Sequence, residues 1–221
     1  MEEPKITKGE QTRQEILAVA RRLFLSQGFT ATPMRQIARE VGITPAAIYN
    51  HYPSKDRLFT TLLQNAAPYD ELFALFSKME ADTPEDLVRQ VFQASLGFIT
   101  DHQDYLQLAL IDAQERDGAA LMTLLPEVLP RAHRMYQRLT ALDAARSPDG
   151  ASRARLRDVP FPVFLRTLIS LIAGFMLTQS VVKPDKMPQF DGIDWPEALV
   201  DVYLHGVLKP SERDAGGAAD T

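Results

Sequence analysis

The sequence predicts an all-α chain of about nine helices, and three observations carry that reading. Hydroxyl residues stand directly before prolines at Thr32-Pro33, Thr44-Pro45 and Thr83-Pro84. A Thr oxygen there can accept an orphan N–H, and Pro at a first helical position loses no hydrogen bond. Apolar residues recur at helical intervals, as in Ile16, Val19, Ala20, Leu23 and Phe24, or Leu58, Leu62 and Leu63. No alternating apolar-polar run longer than a few residues occurs, and no Asn-Gly or Asp-Gly turn joins two such runs.

These signals place helices over 11–27, 33–40, 45–51, 54–77, 84–101, 104–116, 119–144, 161–182 and 195–208. Ser54 supplies a fourth cap, with Asp56 placed for the helix dipole. Pro126 and Pro130 are candidate breaks in the seventh helix. Loops are expected over 146–160 and 183–194. The Gly/Ala/Asp-rich stretch 209–221 reads as a disordered tail, and 1–10 as a flexible arm. The apolar segment 161–182 is interrupted by Arg166, Thr167, Ser170, Thr178, Gln179 and Ser180, so a buried or interface helix is a better reading than a membrane span.

The chain has 221 residues, 45% of them hydrophobic, enough to bury a core. It has no cysteine, which excludes disulfides, thiolate metal sites and a Cys nucleophile, and points to the cytoplasm. The polar start carries no secretory signal, so none is expected. Charge is unevenly spread. Residues 1–64 hold nine Lys/Arg against six Asp/Glu, a net of +3, whereas 65–221 hold 15 against 23, a net of −8. A small basic head on an acidic body suits a nucleic-acid reader joined to a second, different domain.

The motif lies at 33–52, PMRQIAREVGITPAAIYNHY. Ile37, Ala38 and Val41 line one face of a short helix. Gly42 follows, where a small residue suits a helix crossing and a tight left-handed turn. Ile43 and Ile48 pin a second helix, capped by Thr44 and started by Pro45. That N-terminus suits a phosphate. Its outward residues Ala46, Ala47, Tyr49, Asn50 and His51 are compact or hydrogen-bonding. Arg35 and Lys55 read as phosphate donors, Asn50 as a reader of adenine, and Tyr49 or Ala46 as contacts to a thymine methyl.

From Thr12 to about Leu63 the chain resembles the N-terminal domain of the tetracycline-repressor (TetR) family of transcription regulators. The resemblance rests on Ile16, Leu17, Ala20, Leu23 and Phe24, then Gly28-Phe29, Thr32, and Ile37-Ala38 with Val41-Gly42-Ile43. Most discriminating is Tyr49-x-His51-Tyr52-Pro53-Ser54-Lys55. The family usually has Phe where Tyr52 stands. The resemblance implies DNA contacts at Thr32, Arg35, Thr44, Tyr49, His51, Tyr52 and Lys55, with Tyr52 equally suited to the core. It also implies a helix-turn-helix domain over 11–56 and a helical effector-binding and dimerisation domain over 57–208. The implied function is that of a dimeric regulator of a palindromic double-stranded DNA operator, most simply a repressor, released by a small, mainly apolar effector.

Two further residue sets follow. A homodimer interface is expected from Phe161, Leu165, Leu168, Ile172 and Phe175 on one helix, with Trp195, Leu199, Val202 and Tyr203 on the next; Gly174 would permit close approach. Burial within one subunit is the alternative. Effector-pocket candidates are Phe73, Phe98, His102, Tyr105, Asp112, His133 and Tyr136, which are polar or aromatic groups on otherwise apolar faces.

No catalytic constellation is evident. His51, His102, His133 and His205 lack ligand spacing, and there is no Gly-rich phosphate loop or nucleophile elbow. Asp112 and Glu115 are three apart on a helix and could be called paired carboxylates, but Glu115, with Arg116 and Asp117 beside it, reads as a solvated helix end. No catalytic residue, metal, cofactor or membrane partner is expected. The rival reading is an architectural DNA-binding protein without an effector.

Overall fold

The computed structural model describes residues 7–145, 159–179 and 192–207, and among these it has eleven helices and no strand. The class is all-α, as the sequence predicts. α1 (Lys8–Gln27) starts three residues before expectation and takes in part of the expected arm. The cause is a capping box at Thr7-x-x-Glu10: Glu10 N–H donates to Thr7 Oγ1 at 3.2 Å, and Thr7 N–H donates to Glu10 Oε2 at 3.0 Å.

α2 (Met34–Val41) and α3 (Pro45–His51) follow. Pro33 caps α2 without any side-chain bond, so Thr32 does not act as the predicted cap. Its hydroxyl donates to Gly28 O at 2.7 Å instead, and accepts from Gln27 Nε2. Thr44 does cap α3, accepting from Ala47 N–H at 3.1 Å, and Ser54 caps α4 (Lys55–Ala66), accepting from Arg57 N–H.

The expected helix over 54–77 is two helices, α4 and α5 (Tyr69–Ser77), separated at Ala67-Pro68. Pro68 has no N–H and its ring disfavours helical backbone at Ala67. α6 (Pro84–Asp101) and α7 (Gln103–Glu115) keep the expected positions to within a residue. The expected helix over 119–144 is also divided, into α8 (Ala119–Met122) and α9 (Leu125–Ala145). The break falls at Thr123-Leu124, before Pro126, and Pro130 lies inside α9 without ending it. α10 (Phe161–Gln179) and α11 (Trp195–Val207) complete the order. Of the loops expected over 146–160 and 183–194, residues 146–158 and 183–191 lie outside the described residues, as do the helix ends at 180–182 and 208, residues 1–6 and the tail at 209–221.

Packing divides the chain into two compact units. The first contains the residues up to Pro68 and His102–Glu127, so α7 and α8 join α1–α4. Its centre is an aromatic trio: Phe24, Phe29 and Phe59 have ring centroids 5.1–5.7 Å apart. Ile16, Ile37, Ile48, Leu58 and Leu63 are fully buried with Phe24 and Phe59. The second unit contains Tyr69–Asp101 and the residues from Val128 onward. There Leu87, Val88, Phe92 and Leu96 of α6 form a core with Ile172 of α10 and Val200, Tyr203 and Leu204 of α11.

Candidate nucleic-acid interface

The α2–α3 turn is set by backbone conformation. Gly42 has φ +80° and ψ 24°, in the left-handed region where a side chain is strained. Open space surrounds the place its Cβ would occupy, so the expected close crossing is not what requires glycine there. Ile43 N–H donates to Ala38 O at 2.9 Å and closes the turn. With Ile48 wholly buried, the opposite side of α3 faces solvent.

That exposed side contains Thr44, Pro45, Ala46, Tyr49 and Asn50, with His51 half-exposed; Arg35 on α2 is exposed too. These are the members of the predicted DNA-facing set that the fold leaves accessible. The other three are framework. Thr32 is buried, with its hydroxyl engaged as above. Tyr52 is 1% exposed, with the Arg13 guanidinium 4.9 Å from its ring centroid, so the core alternative describes it. Burial pushes its phenol up, opposed by Arg13.

Lys55 reaches inward. Its Nζ donates to Phe29 O at 2.8 Å and Thr30 O at 3.4 Å, and sits 4.2 Å from the Phe29 ring centroid. Burial lowers its pKa, while the charges of Asp56 and Glu115 oppose that shift. The ammonium therefore ties the start of α4 to the α1–α2 turn.

The C-terminal end of α7 holds the same turn, and here the structure corrects the sequence. The Arg116 side chain is 5% exposed, so it is not part of the solvated helix end expected there, and Asp112 is wholly buried. Arg116 Nη1 donates to Asp112 Oδ1 at 2.6 Å, its Nη2 to Asp56 Oδ1 at 3.1 Å and Thr60 Oγ1 at 3.4 Å. The guanidinium also lies 4.9 Å and 4.7 Å from the ring centroids of Phe29 and Phe59. Asp112 accepts from Ala120 and Leu121 N–H, fixing the first turn of α8. Its oxygens are thus committed within the protein, and the pocket role expected of it has no room. The legible clue was Asp112-x-x-x-Arg116 on the face that contains Leu108, which is an i,i+4 ion pair on a buried stripe.

Glu115 accepts from Thr30 N–H at 2.6 Å. That bond holds its carboxyl below the usual range, with a smaller contribution from Lys55. A Cβ at Gly28, whose φ is +84°, would meet Glu115 Oε1 at 2.5 Å, so the carboxylate would have to shift.

The remaining pocket candidates divide between the units. His102 and Tyr105 lie in the first unit, Tyr105 buried. Phe73, Phe98, His133 and Tyr136 lie in the second. His133 and Tyr136 pack on Phe161, at centroid distances of 4.8 Å and 5.6 Å, and Tyr136 donates to Val159 O at 2.6 Å. Phe73 lines a cleft between α5 and α9.

The expected interface stripe on α10 is largely its inner side. Ile172 and Tyr203 are in the second unit's core, and Leu168, Phe175 and Leu199 pack against it; Leu165 and Trp195 are half-buried. Tyr203 donates to Phe164 O, and burial pushes its phenol up to about 12. The exposed apolar residues are Val163, Ile169 and Leu177 on α10 and Val202 on α11. At 100° per residue Val163 and Leu177 lie opposite the expected stripe, and Ile169 lies at its flank. An apolar circumference offers two stripes, and periodicity cannot choose between them. Among the described residues no cluster of His, Asp or Glu could hold a metal ion, and no helix is long and apolar enough to cross a membrane.

Comparison with known proteins gives the same picture. Residues 16–62 match the model of the tetR family of bacterial regulatory proteins. The chain is 31% identical over 146 residues to the HTH-type transcriptional regulator TcmR of Streptomyces glaucescens, covering 63% of this chain and 62% of that one. It is 44% identical over 55 residues to the HTH-type transcriptional regulator AcrR of Shigella flexneri, 25% of this chain and 26% of that one. The matches thus span less than two thirds of either relative. The fold extends further: NalD, the secondary repressor of the MexAB-OprM multidrug efflux pump in Pseudomonas aeruginosa, superposes with a TM-score of 0.62 at 22% identity, over 91% of this chain and 99% of that one. By its matched residues the helix-turn-helix segment 16–62 is that of the tetR family of bacterial regulatory proteins, and the fold around it is shared with NalD.

Proposed function

We propose that the protein is a cytoplasmic, ligand-responsive transcription regulator that binds a palindromic operator as a homodimer. The observation that carries this reading is the accessible side of α3, where Tyr49, Asn50 and Ala46 stand outward on a short helix fixed by Ile48, the Thr44 cap and the Gly42 turn. Small and hydrogen-bonding side chains on a rigid helix suit base edges in a major groove, with exposed Arg35 beside them for phosphate. A single reading head makes few phosphate contacts, so a second copy is needed for tight binding. The apolar residues exposed on α10 and α11 support a dimer through that side, since a two-fold contact covers the same surface on both copies.

Repression with release by an effector is the regulatory form we favour. Two recognition helices must lie about 34–36 Å apart to meet successive major grooves. An effector that prefers a state with another spacing lowers operator affinity by its differential affinity for the two states, and operator lowers effector affinity by the same factor. α4 and α5 are separate helices, so any lever runs through the Ala67-Pro68 joint rather than along one rod. Selection from random duplexes tests the reading: a palindromic site is expected, and enrichment of no site would overturn it.

A further inference from the structure

The cleft between α5 and α9 takes no part in the reading head or in the exposed α10–α11 side. It is an open cleft of about 590 Å³, within the range of drug-sized ligand sites. Its floor is apolar and aromatic. Phe73 and Phe76 meet edge to face with centroids 5.9 Å apart, and Met135 lies beside them. Its rim is cationic. Arg131, Arg134 and Arg138 recur at i, i+3 and i+7 on α9 and so share one face, with Asp70 the single acid among the lining residues.

The three guanidiniums are not equivalent. Arg131 pairs with Asp70, a carboxylate that is itself 86% exposed, and stands 5.7 Å from the Phe73 ring centroid. Arg138 donates to the carbonyls of Phe76 and Met79 at the end of α5. Arg134 is exposed, and its guanidinium is the one whose donors the lining does not engage. A neutral apolar guest on this floor would strip water from the rim without replacing its hydrogen bonds, and a cation would be repelled. A planar guest with a carboxylate satisfies both surfaces, because the guanidinium fork matches a carboxylate with two parallel bonds.

We propose that this cleft binds an organic anion with a flat apolar body, an aromatic or polycyclic carboxylate, with Arg134 as its principal anion contact. Its role as the effector site rests on the regulator reading above; the binding itself does not. It also replaces a mainly apolar effector with an amphipathic anionic one.

Calorimetric titration of the full chain tests it with three matched probes: 1-pyrenecarboxylate, 1-pyrenemethanol and 1-pyrenemethylammonium. The carboxylate should bind about tenfold or more tightly than the alcohol, and the ammonium weakest. Arg134→Met should remove that advantage while leaving the alcohol's affinity unchanged, and Arg134→Lys should restore part of it. Circular dichroism of each variant confirms an unaltered fold. Equal affinity for carboxylate and alcohol, or a carboxylate affinity indifferent to Arg134→Met, would overturn the site. Duplex binding is then measured with and without 1-pyrenecarboxylate. Weakened duplex binding supports the effector role, and an unchanged value overturns that role while leaving the site standing. A chain that selects no duplex at all removes the regulator reading and leaves the titration result intact.

Discussion

Two surfaces of this protein leave large side chains in water, and their chemistry is opposite. On α3, Tyr49 is 51% exposed, and its neighbours Thr44, Asn50 and His51 can all donate or accept hydrogen bonds. On α10 and α11, Val163, Ile169, Leu177 and Val202 are 50–66% exposed, and none of these side chains offers a hydrogen bond. The first surface can exchange water for polar base edges and phosphates at little loss. The second gains only by meeting another apolar surface, at roughly 25 cal/mol for each Å² covered. The first face suits a polar partner, and the second an apolar one.

The largest expected effect breaks the second face. Ile169→Asp places a charge where the single chain exposes the residue, so the fold should survive. In a two-fold dimer the same change buries two unpaired charges. Sedimentation should show monomers, and operator affinity should fall by about a hundredfold or more as half the phosphate contacts are lost. Phe175→Asp is the contrast: Phe175 packs on the second unit's own core, so this variant should lose folded protein rather than change assembly state. An Ile169→Asp protein that remains dimeric would remove the distinction between inner and outer sides of α10.

The next effect concerns what holds the reading head together. Arg116→Ala leaves Asp112 buried with its backbone partners alone and removes the stacking on Phe29 and Phe59. A cost of about 3 kcal/mol is expected, the lower end for breaking a buried pair. Urea unfolding measures it. A loss below about 1 kcal/mol would mean the pair contributes little and the aromatic trio suffices.

These two sites also mark what the sequence makes legible. The α2–α3 pair is encoded locally: a Thr44 cap, a proline at the first helical position, a left-handed Gly42 and one buried Ile48 all lie within a dozen residues. The break at Pro68 was equally local, yet regular apolar spacing on both sides of it suggested one helix. The Arg116 network is different, because its partners Asp56, Thr60, Phe29 and Phe59 are about 60 or more residues away in the chain. Charged side chains at a helix end resemble solvated ones until the packing is known. The inner and outer stripes of α10 are likewise alike in sequence, since both are apolar. The cleft on α9 was hidden for a related reason: Arg131, Arg134 and Arg138 are an ordinary polar helix face until α5 supplies Phe73 and Phe76 opposite them.

A smaller effect sharpens the first surface. Arg35→Ala should weaken duplex binding about equally for all sequences, by about tenfold, and lower the slope of log K against log salt by about one. Asn50→Ala should leave that slope nearly unchanged and relax base preference at one position of the site. Binding measured at three salt concentrations on the selected duplex and a scrambled one separates the two. An Arg35→Ala protein with an unaltered slope would mean that this arginine meets no phosphate.

The smallest expected effect is a pH dependence at Glu115. The carboxylate accepts the Thr30 N–H, and that bond lowers its folded pKa below the unfolded value. A depressed acid stabilises the fold above its unfolded pKa, about 4.3, and that stabilisation disappears as pH falls through the folded value. The carboxyl is exposed, so solvent screening limits the gain to about 0.5 kcal/mol. Glu115→Gln keeps the shape and one acceptor but has no charge to lose. The mutant should therefore melt slightly below the parent at pH 7, and the gap should narrow as pH falls below the unfolded value and close once the folded carboxyl is protonated as well. Thermal unfolding of both proteins at half-unit steps from pH 7 to pH 3.5 measures the gap. A difference that stays constant across that range would assign the contact to shape alone, with no share for the charge-assisted bond to Thr30.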